Sequence, residues 1–226
     1  MKAWILSAAV VGALSIVPLV AQDSTKPAQD KPADTAQAEK KPYKVGDVVD
    51  ETIKLTDIDG KSVTMKELRG KVVFIHFWSK NCPYEVVADP KVAKLEKEWK
   101  DKNVVTLAIN SNSTEIGTTP PSDNAFYDPI RKHLKEKEIA MRVFADHGNK
   151  VADMFNAQST PHCFVIDPKG KLVYAGGLDD DPKGEKGDAT AQYVRDAVEA
   201  TLAGKEVKVA TSKHYGCSIK RVKVGA

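Results

Sequence analysis

The hydrophobic positions of this chain change period along its length, and each change marks an element. Ile53 to Val63 alternates apolar and polar residues around Asp59-Gly60, which predicts a β-hairpin. Thr64-Met-Lys-Glu67 has capping-box spacing, so a short helix ending at Gly70 is expected. Val72 to Phe77 is a near-continuous apolar run, the pattern of a strand covered on both faces. Trp78 to Pro83 reads as a loop. Tyr84 to Lys102 has helical spacing, with Val87, Val92, Leu95 and Trp99 on one face; Pro90 predicts a kink or a late start. Val104 to Asn110 is a second buried strand.

The later half repeats the alternation of element types. Ser111 to Ser122 is Ser/Thr/Pro/Gly loop material, and Phe126 to Lys137 a charged helix. A short strand over 142–145 and a short helix over 150–155 follow. Cys163 to Asp167 and Leu172 to Ala175 pair as antiparallel strands across the Pro168-Lys-Gly170 turn. Asp179 to Asp188 is a charged loop, and Ala189 to Leu202 an amphipathic helix ended by Gly204. A βαβ unit followed by a ββα unit predicts an α/β fold: a central mixed β-sheet flanked by helices, with an N-terminal β-hairpin added.

The two ends lie outside this pattern. Met1 to Ala21 carries Lys2, an apolar stretch to Ile16, Pro18 and a small residue at Ala21, the layout of a secretory signal; Leu19 leaves an uncleaved anchor open. Residues 22–44 are Ala, Lys, Asp, Gln and Pro with one aromatic, Tyr43, and read as a disordered spacer. The folded domain spans 45–204, and a tail over 205–226 carries Cys217. Export places the domain in the periplasm or outside the cell, where cysteines pair or react.

Composition narrows the function. With 42% hydrophobic residues the chain can bury a core. Its 34 basic and 31 acidic residues are interspersed at a net +3, which argues against nucleic acid as a main partner. No apolar run beyond the N-terminus is long enough to span a bilayer, so no stable membrane insertion is expected after signal cleavage. Three cysteines, none in a CxxC pair, exclude a disulfide-stapled scaffold and a four-ligand structural zinc site.

The chemistry centres on Phe77-Trp-Ser-Lys-Asn-Cys-Pro-Tyr-Glu85, which leads from the C-terminal end of a buried strand into a helix. Cys82 falls at the helix start, where backbone N–H groups and the positive helix end stabilise a thiolate. Pro83 fits the first turn. Cys163 opens an apolar strand and reads as a core residue, as does His76. His133, His147 and His214 read as surface residues, and Lys220 to Lys223 as a solvated tail.

Val45-Gly-Asp, Thr52-Ile-Lys-Leu, Asp59-Gly-Lys, Leu68-Arg-Gly-Lys-Val-Val and Phe77-Trp resemble the opening of the redoxin, or AhpC/TSA, branch of thioredoxin-like proteins. Ala157-Gln-Ser-Thr-Pro-His, Phe164-Val-Ile-Asp and Gly170-Lys-Leu-Val-Tyr resemble its later half. Gly216-Cys-Ser-Ile-Lys220 is similar to a C-terminal signature of an exported subgroup. The resemblance spans 45–220 and implies a thioredoxin-like fold with Cys82 as nucleophile. The thioredoxin resolving position holds Glu85, so a disulfide cycle within the motif is impossible. Cys-Pro-Tyr-Glu resembles the peroxiredoxin motif, and Ser79 matches its hydroxyl residue. The peroxiredoxin proline four residues earlier is Ile75 here, and Pro161 stands in place of its later arginine. Thr160-Pro161 resembles instead the thioredoxin cis-proline loop.

The resemblance implies a thiol-dependent oxidoreductase. Cys82 attacks a disulfide or a hydroperoxide. Cys217 is the candidate resolving thiol; a structural or intermolecular disulfide is its other reading. Trp78, Ser79, Glu85, Thr160 and Pro161 shape the pocket, and an external thiol donor, thioredoxin-like or small, regenerates the protein. This reading needs no cofactor and no resident metal. The alternative is a non-catalytic module holding copper or a client protein, with His162 and Cys217 near Cys82; Val86 stands where the Sco-type copper chaperones carry their second cysteine.

Overall fold

The computed structural model describes residues 41–223; the segment read as a secretory signal and most of the expected spacer lie outside the described residues. Strands β1 (Lys54–Thr56) and β2 (Ser62–Thr64) form the expected hairpin, with Leu55 opposite Val63. The central strand is β3 (Val72–Phe77), every residue of which is buried. Helix α1 (Glu85–Trp99) leads to β4 (Val104–Asn110), parallel to β3, and β4 is followed by a single-turn α2 (Ser113–Ile116). Helix α3 (Asp128–Glu136), β5 (Val143–Ala145) and α4 (Lys150–Met154) come next. Then follow β6 (Ser159–Thr160), β7 (His162–Ile166), β8 (Leu172–Gly176), α5 (Tyr193–Leu202) and β9 (Cys217–Ser218).

Five strands make the main sheet in the order β5-β4-β3-β7-β8. The β3, β4 and β5 strands are parallel; β7 runs antiparallel to both β3 and β8. This is the mixed sheet of the thioredoxin fold. Side chains alternate along β3, so Phe74 joins one core and Val73, Ile75 and Phe77 the other. The Phe74 face is covered by α1 and α5 through Val92, Leu95, Trp99, Val194 and Val198. Met65, Leu68, Val151 and Phe155 close the opposite face. Burial on both faces is why β3 reads as an unbroken apolar run.

Several expectations change. Thr64 and Glu67 do form the reciprocal hydrogen bonds of a capping box, Thr64 N donating to Glu67 Oε2 at 2.6 Å and Glu67 N to Thr64 Oγ1 at 3.3 Å. No helix follows; residues 65–70 are successive turns, and Gly70 N donates to the Pro168 carbonyl with φ at +83°. Helix α1 begins before Pro90 and continues through it. The carbonyl left without a partner is that of Val86, which is 72% exposed, so water can satisfy it. Helix α5 starts at Tyr193, after a 3-10 turn over Gly187–Ala189. At the spacer's end, Tyr43 is held: its N–H donates to Met154 O at 2.8 Å and its ring packs 5.3 Å from Phe155.

The tail is a docked strap. Ser212 N donates to Ala175 O, Ile219 N to Gln158 O, Lys220 N to Asn112 Oδ1 and Val222 N to Asn149 Oδ1. Arg221 bonds the Ala157 carbonyl and Asp153, so the stretch read as solvated is anchored. Among the described residues no helix is long and apolar enough to cross a membrane.

Candidate functional site

Cys82 lies between the end of β3 and the start of α1, 4% exposed. Its Sγ donates to the Thr160 carbonyl at 2.8 Å. Thr160 precedes Pro161 through a cis peptide bond, as the loop's resemblance implied. Strand β6 pairs antiparallel with β9, placing Cys217 directly opposite Thr160. The strap thus carries the second cysteine onto the first. Burial and a hydrogen bond with Cys82 push the Cys217 thiol up to about 11. Gly216 permits the approach with φ at +111°, since a Cβ there would lie 2.0 Å from the Thr160 oxygen. All three cysteines are free thiols, and Cys163 is fully buried in β7.

The loop from Trp78 to Asn81 is fixed from inside. The Trp78 backbone N–H donates to Ile109 O, and its indole N–H donates to Asp89 Oδ1 at 3.0 Å. The Ser79 hydroxyl donates to Glu115 Oε1, and the Lys80 N–H to Glu115 Oε2 at 3.2 Å. Asn110 Nδ2 donates to the same carboxylate at 2.7 Å. Glu115, 8% exposed, is the hub that sequence reasoning missed. The Ser79 hydroxyl, which matches the peroxiredoxin hydroxyl residue, donates to this carboxylate.

Glu85 is 2% exposed, and neither carboxyl oxygen makes a hydrogen bond. Its Oε2 lies 3.0 Å from His76 Nε2, close but not aligned for a hydrogen bond. Burial drives the two groups toward neutrality: the Glu85 carboxyl is held well above the carboxylate range, and His76 falls to about 4. Asp89 rises to about 6, through burial first and then the Glu85 charge. His76 is therefore a core histidine, as expected, but an unsatisfied one. A cavity of about 490 Å³ opens beside Cys82, Glu85 and Asp89.

His133, His147 and His214 are half-buried and each is engaged, and His162 is buried. His133 packs on Trp78 with ring centroids 5.9 Å apart, and His147 hydrogen-bonds the Tyr127 hydroxyl at 2.7 Å. His214 stacks on His162 at 4.4 Å and bonds the Ser159 hydroxyl. His162 Nδ1 accepts from the Gln158 N–H. Among the described residues no group of three or more His, Cys, Asp or Glu side chains is placed to hold a metal ion.

Comparison with known proteins agrees with this architecture. Thiol-disulfide oxidoreductase ResA of Bacillus cereus is 27% identical over 103 residues, covering 46% of this chain and 53% of that protein. ResA of Halalkalibacterium halodurans is 27% identical over 110 residues, 48% of this chain and 56% of that protein. The match thus spans about half the length of these relatives. A crystal structure of a hypothetical protein from Sinorhizobium meliloti 1021 superposes with a TM-score of 0.68 at 27% identity, covering 81% of this chain and 97% of that one. The family model of the AhpC/TSA family matches residues 45–175, more than half of the sequence, and the chain belongs to that family.

Proposed function

We propose that the protein is a thiol–disulfide oxidoreductase in which Cys82 and Cys217 form the working pair. The observation that carries this reading is their convergence on Thr160: the Cys82 sulfur donates to its carbonyl, and residue Cys217 pairs with it in the β6–β9 register. The similarity to ResA supports the disulfide chemistry.

The Cys82 thiolate attacks one sulfur of a substrate disulfide. A mixed disulfide forms, and the other half leaves as a thiolate. Cys217 then attacks the Cys82 sulfur, releasing the second half and closing the Cys82–Cys217 disulfide. The protons of the two cysteines end on the two released thiols. An external thiol donor reverses the cycle. The order follows from electrostatics: Cys217 is held protonated partly by its hydrogen bond and charge interaction with Cys82. Once Cys82 is bonded to substrate, that contribution is gone and Cys217 becomes the readier nucleophile.

Disulfide is favoured over hydroperoxide as the oxidant. The peroxide reading drew on the Cys-Pro-Tyr-Glu motif and on Ser79, and the Ser79 hydroxyl here donates to Glu115. Glu85, Trp78 and Pro161 pack the site, and the signal-like N-terminus fits an extracytoplasmic setting.

The test is to add one equivalent of a small disulfide, or of hydrogen peroxide, to the reduced protein, then alkylate and map the cysteines by mass spectrometry. A Cys82–Cys217 disulfide formed faster with the disulfide is expected, with Cys217→Ser trapping the mixed disulfide on Cys82. Retained turnover in Cys82→Ser would falsify the assignment. Faster reaction with peroxide would identify a peroxidase instead.

A further inference from the structure

We propose that the cavity beside Cys82 selects low-molecular-weight disulfides whose arms carry carboxylates. The inference rests on the reading of Cys82 as the attacking thiol and names the substrate class it would meet.

The cavity has a volume of about 490 Å³, in the range of small-molecule sites. Cys82 lies in its wall and is only 4% exposed. A residue this buried is less readily met by a disulfide on the surface of a folded protein than by a small one that fits the recess. One wall is apolar, formed by Val86, Pro90 and Ala93 of α1 and by Ile139 beyond α3. Val86 is 72% exposed and offers contact for an alkyl arm.

The rim is basic. Lys80, Lys94, Lys97 and Lys137 all line the cavity. Among the described residues none of the four forms an ion pair, whereas Lys91, Arg131, Arg142 and Arg195 elsewhere all do. Lys80 Nζ donates only to the neutral amide oxygen of Asn81. The acidic residues of the lining do not cancel this charge. Burial shifts Glu85 toward its neutral form, and the remaining carboxylates of the lining, Asp89 and the exposed Glu138, are outnumbered by the four lysines. The surplus is felt locally: after burial, Lys80 and Lys137 are what lower His133. A recess of this kind concentrates anions, with rate effects of roughly tenfold or more at low ionic strength.

The apolar wall and the lysine rim together fit a disulfide with short hydrocarbon arms ending in carboxylates. Its cleavage is the exchange described above: two cysteine thiols are oxidised to the Cys82–Cys217 disulfide, and the substrate is reduced to two thiols.

Three disulfides of similar length separate the possibilities: 3,3′-dithiodipropionate, 2-hydroxyethyl disulfide and cystamine, which are anionic, neutral and cationic. The rate of oxidation of the reduced full-length protein is followed by quenched alkylation at low and high salt. The expected order is anionic, neutral, cationic, with the anionic substrate faster than the cationic by about tenfold at low salt. That spread should collapse at 0.5 M salt, where the screening length is only a few ångström. The triple variant Lys94→Glu, Lys97→Glu, Lys137→Glu should reverse the order. Rates independent of charge and salt would overturn the proposal while leaving Cys82 as the nucleophile. No reaction at Cys82 with any of the three would overturn the exchange reading itself.

Discussion

Gly216 lies so close to Thr160 that a Cβ on it would fall 2.0 Å from the Thr160 carbonyl oxygen. That same oxygen accepts the Cys82 thiol. One backbone group therefore gauges the distance of the strap and holds the sulfur it approaches. Gly216→Ala adds both the clash and a side chain at φ +111°, a region that costs on the order of 1–3 kcal/mol. The variant should lose about that much stability in urea unfolding. Its Cys82–Cys217 disulfide should also be easier to reduce against a dithiol buffer, because Cys217 is no longer presented. An unchanged disulfide equilibrium would mean that the strap does not position Cys217.

Glu115 holds the approach to the cysteine by accepting from the Ser79 hydroxyl, the Lys80 and Asn81 backbone N–H groups and the Asn110 amide. Glu115→Ala would strand the buried Ser79 and Asn110 donors at about 1–3 kcal/mol each and release the partly buried Lys80 and Asn81 N–H groups to water. A loss of several kcal/mol in stability is expected, with faster amide hydrogen exchange at Lys80 and Asn81. Protection at those two amides equal to the wild type would show that the loop holds its shape without the carboxylate.

The reach of the sequence can be judged from such residues. Strand β3 was legible because both its faces are buried, which leaves an apolar run that needs no partner to be seen. The junction carrying Cys82 was legible because a polar loop ending in Cys-Pro follows that run directly. Glu115 was not: it sits in a single helical turn within a stretch of small polar residues that reads as loop, and its partners Ser79 and Lys80 lie 36 and 35 positions away. The capping box at Thr64 and Glu67 was a true local signal with the wrong consequence, since its hydrogen bonds close a turn as readily as they start a helix. The strap was misread because charged side chains at Lys220 and Arg221 suggest solvent. What docks it are backbone N–H groups meeting Asn112 and Asn149 together with the Arg221 guanidinium on Ala157 and Asp153, and a sequence does not display such long-range pairings.

Cys163 separates structural from reactive thiols. It is fully buried in β7, and burial raises its thiol well above the ordinary range. In the folded, reduced protein, iodoacetamide should label Cys82 and Cys217 and leave Cys163 untouched until denaturant is added. Cys163→Ala should keep the Cys82–Cys217 exchange and lose about 1 kcal/mol or slightly more, the cost of a small core deletion. Labelling of Cys163 in the native protein at a rate matching Cys82 would contradict its place in the core.

Asp89 gives a pH dependence whose sign can be worked out. Burial lifts its carboxyl to about 6 from an ordinary value of 3.8, so between those two values the folded protein binds a proton that the unfolded chain has released. Its contribution to stability is present below pH 4 and is lost as pH rises through 6, on the order of 2–3 kcal/mol in all. Glu85 acts in the same direction, whereas His76, lowered to about 4, loses its contribution as pH falls below 6.5. These opposed terms flatten the profile of the wild type, so the informative quantity is a difference between variants. Asp89→Asn keeps an oxygen for the Trp78 indole N–H and removes the ionisable group. Urea unfolding of both proteins from pH 4 to 8 should show near-equal stability at pH 4 and a variant that is increasingly the more stable one up to about pH 7. A variant less stable than the wild type at pH 8 would show that the Asp89 carboxylate, although buried, is net stabilising in its charged form.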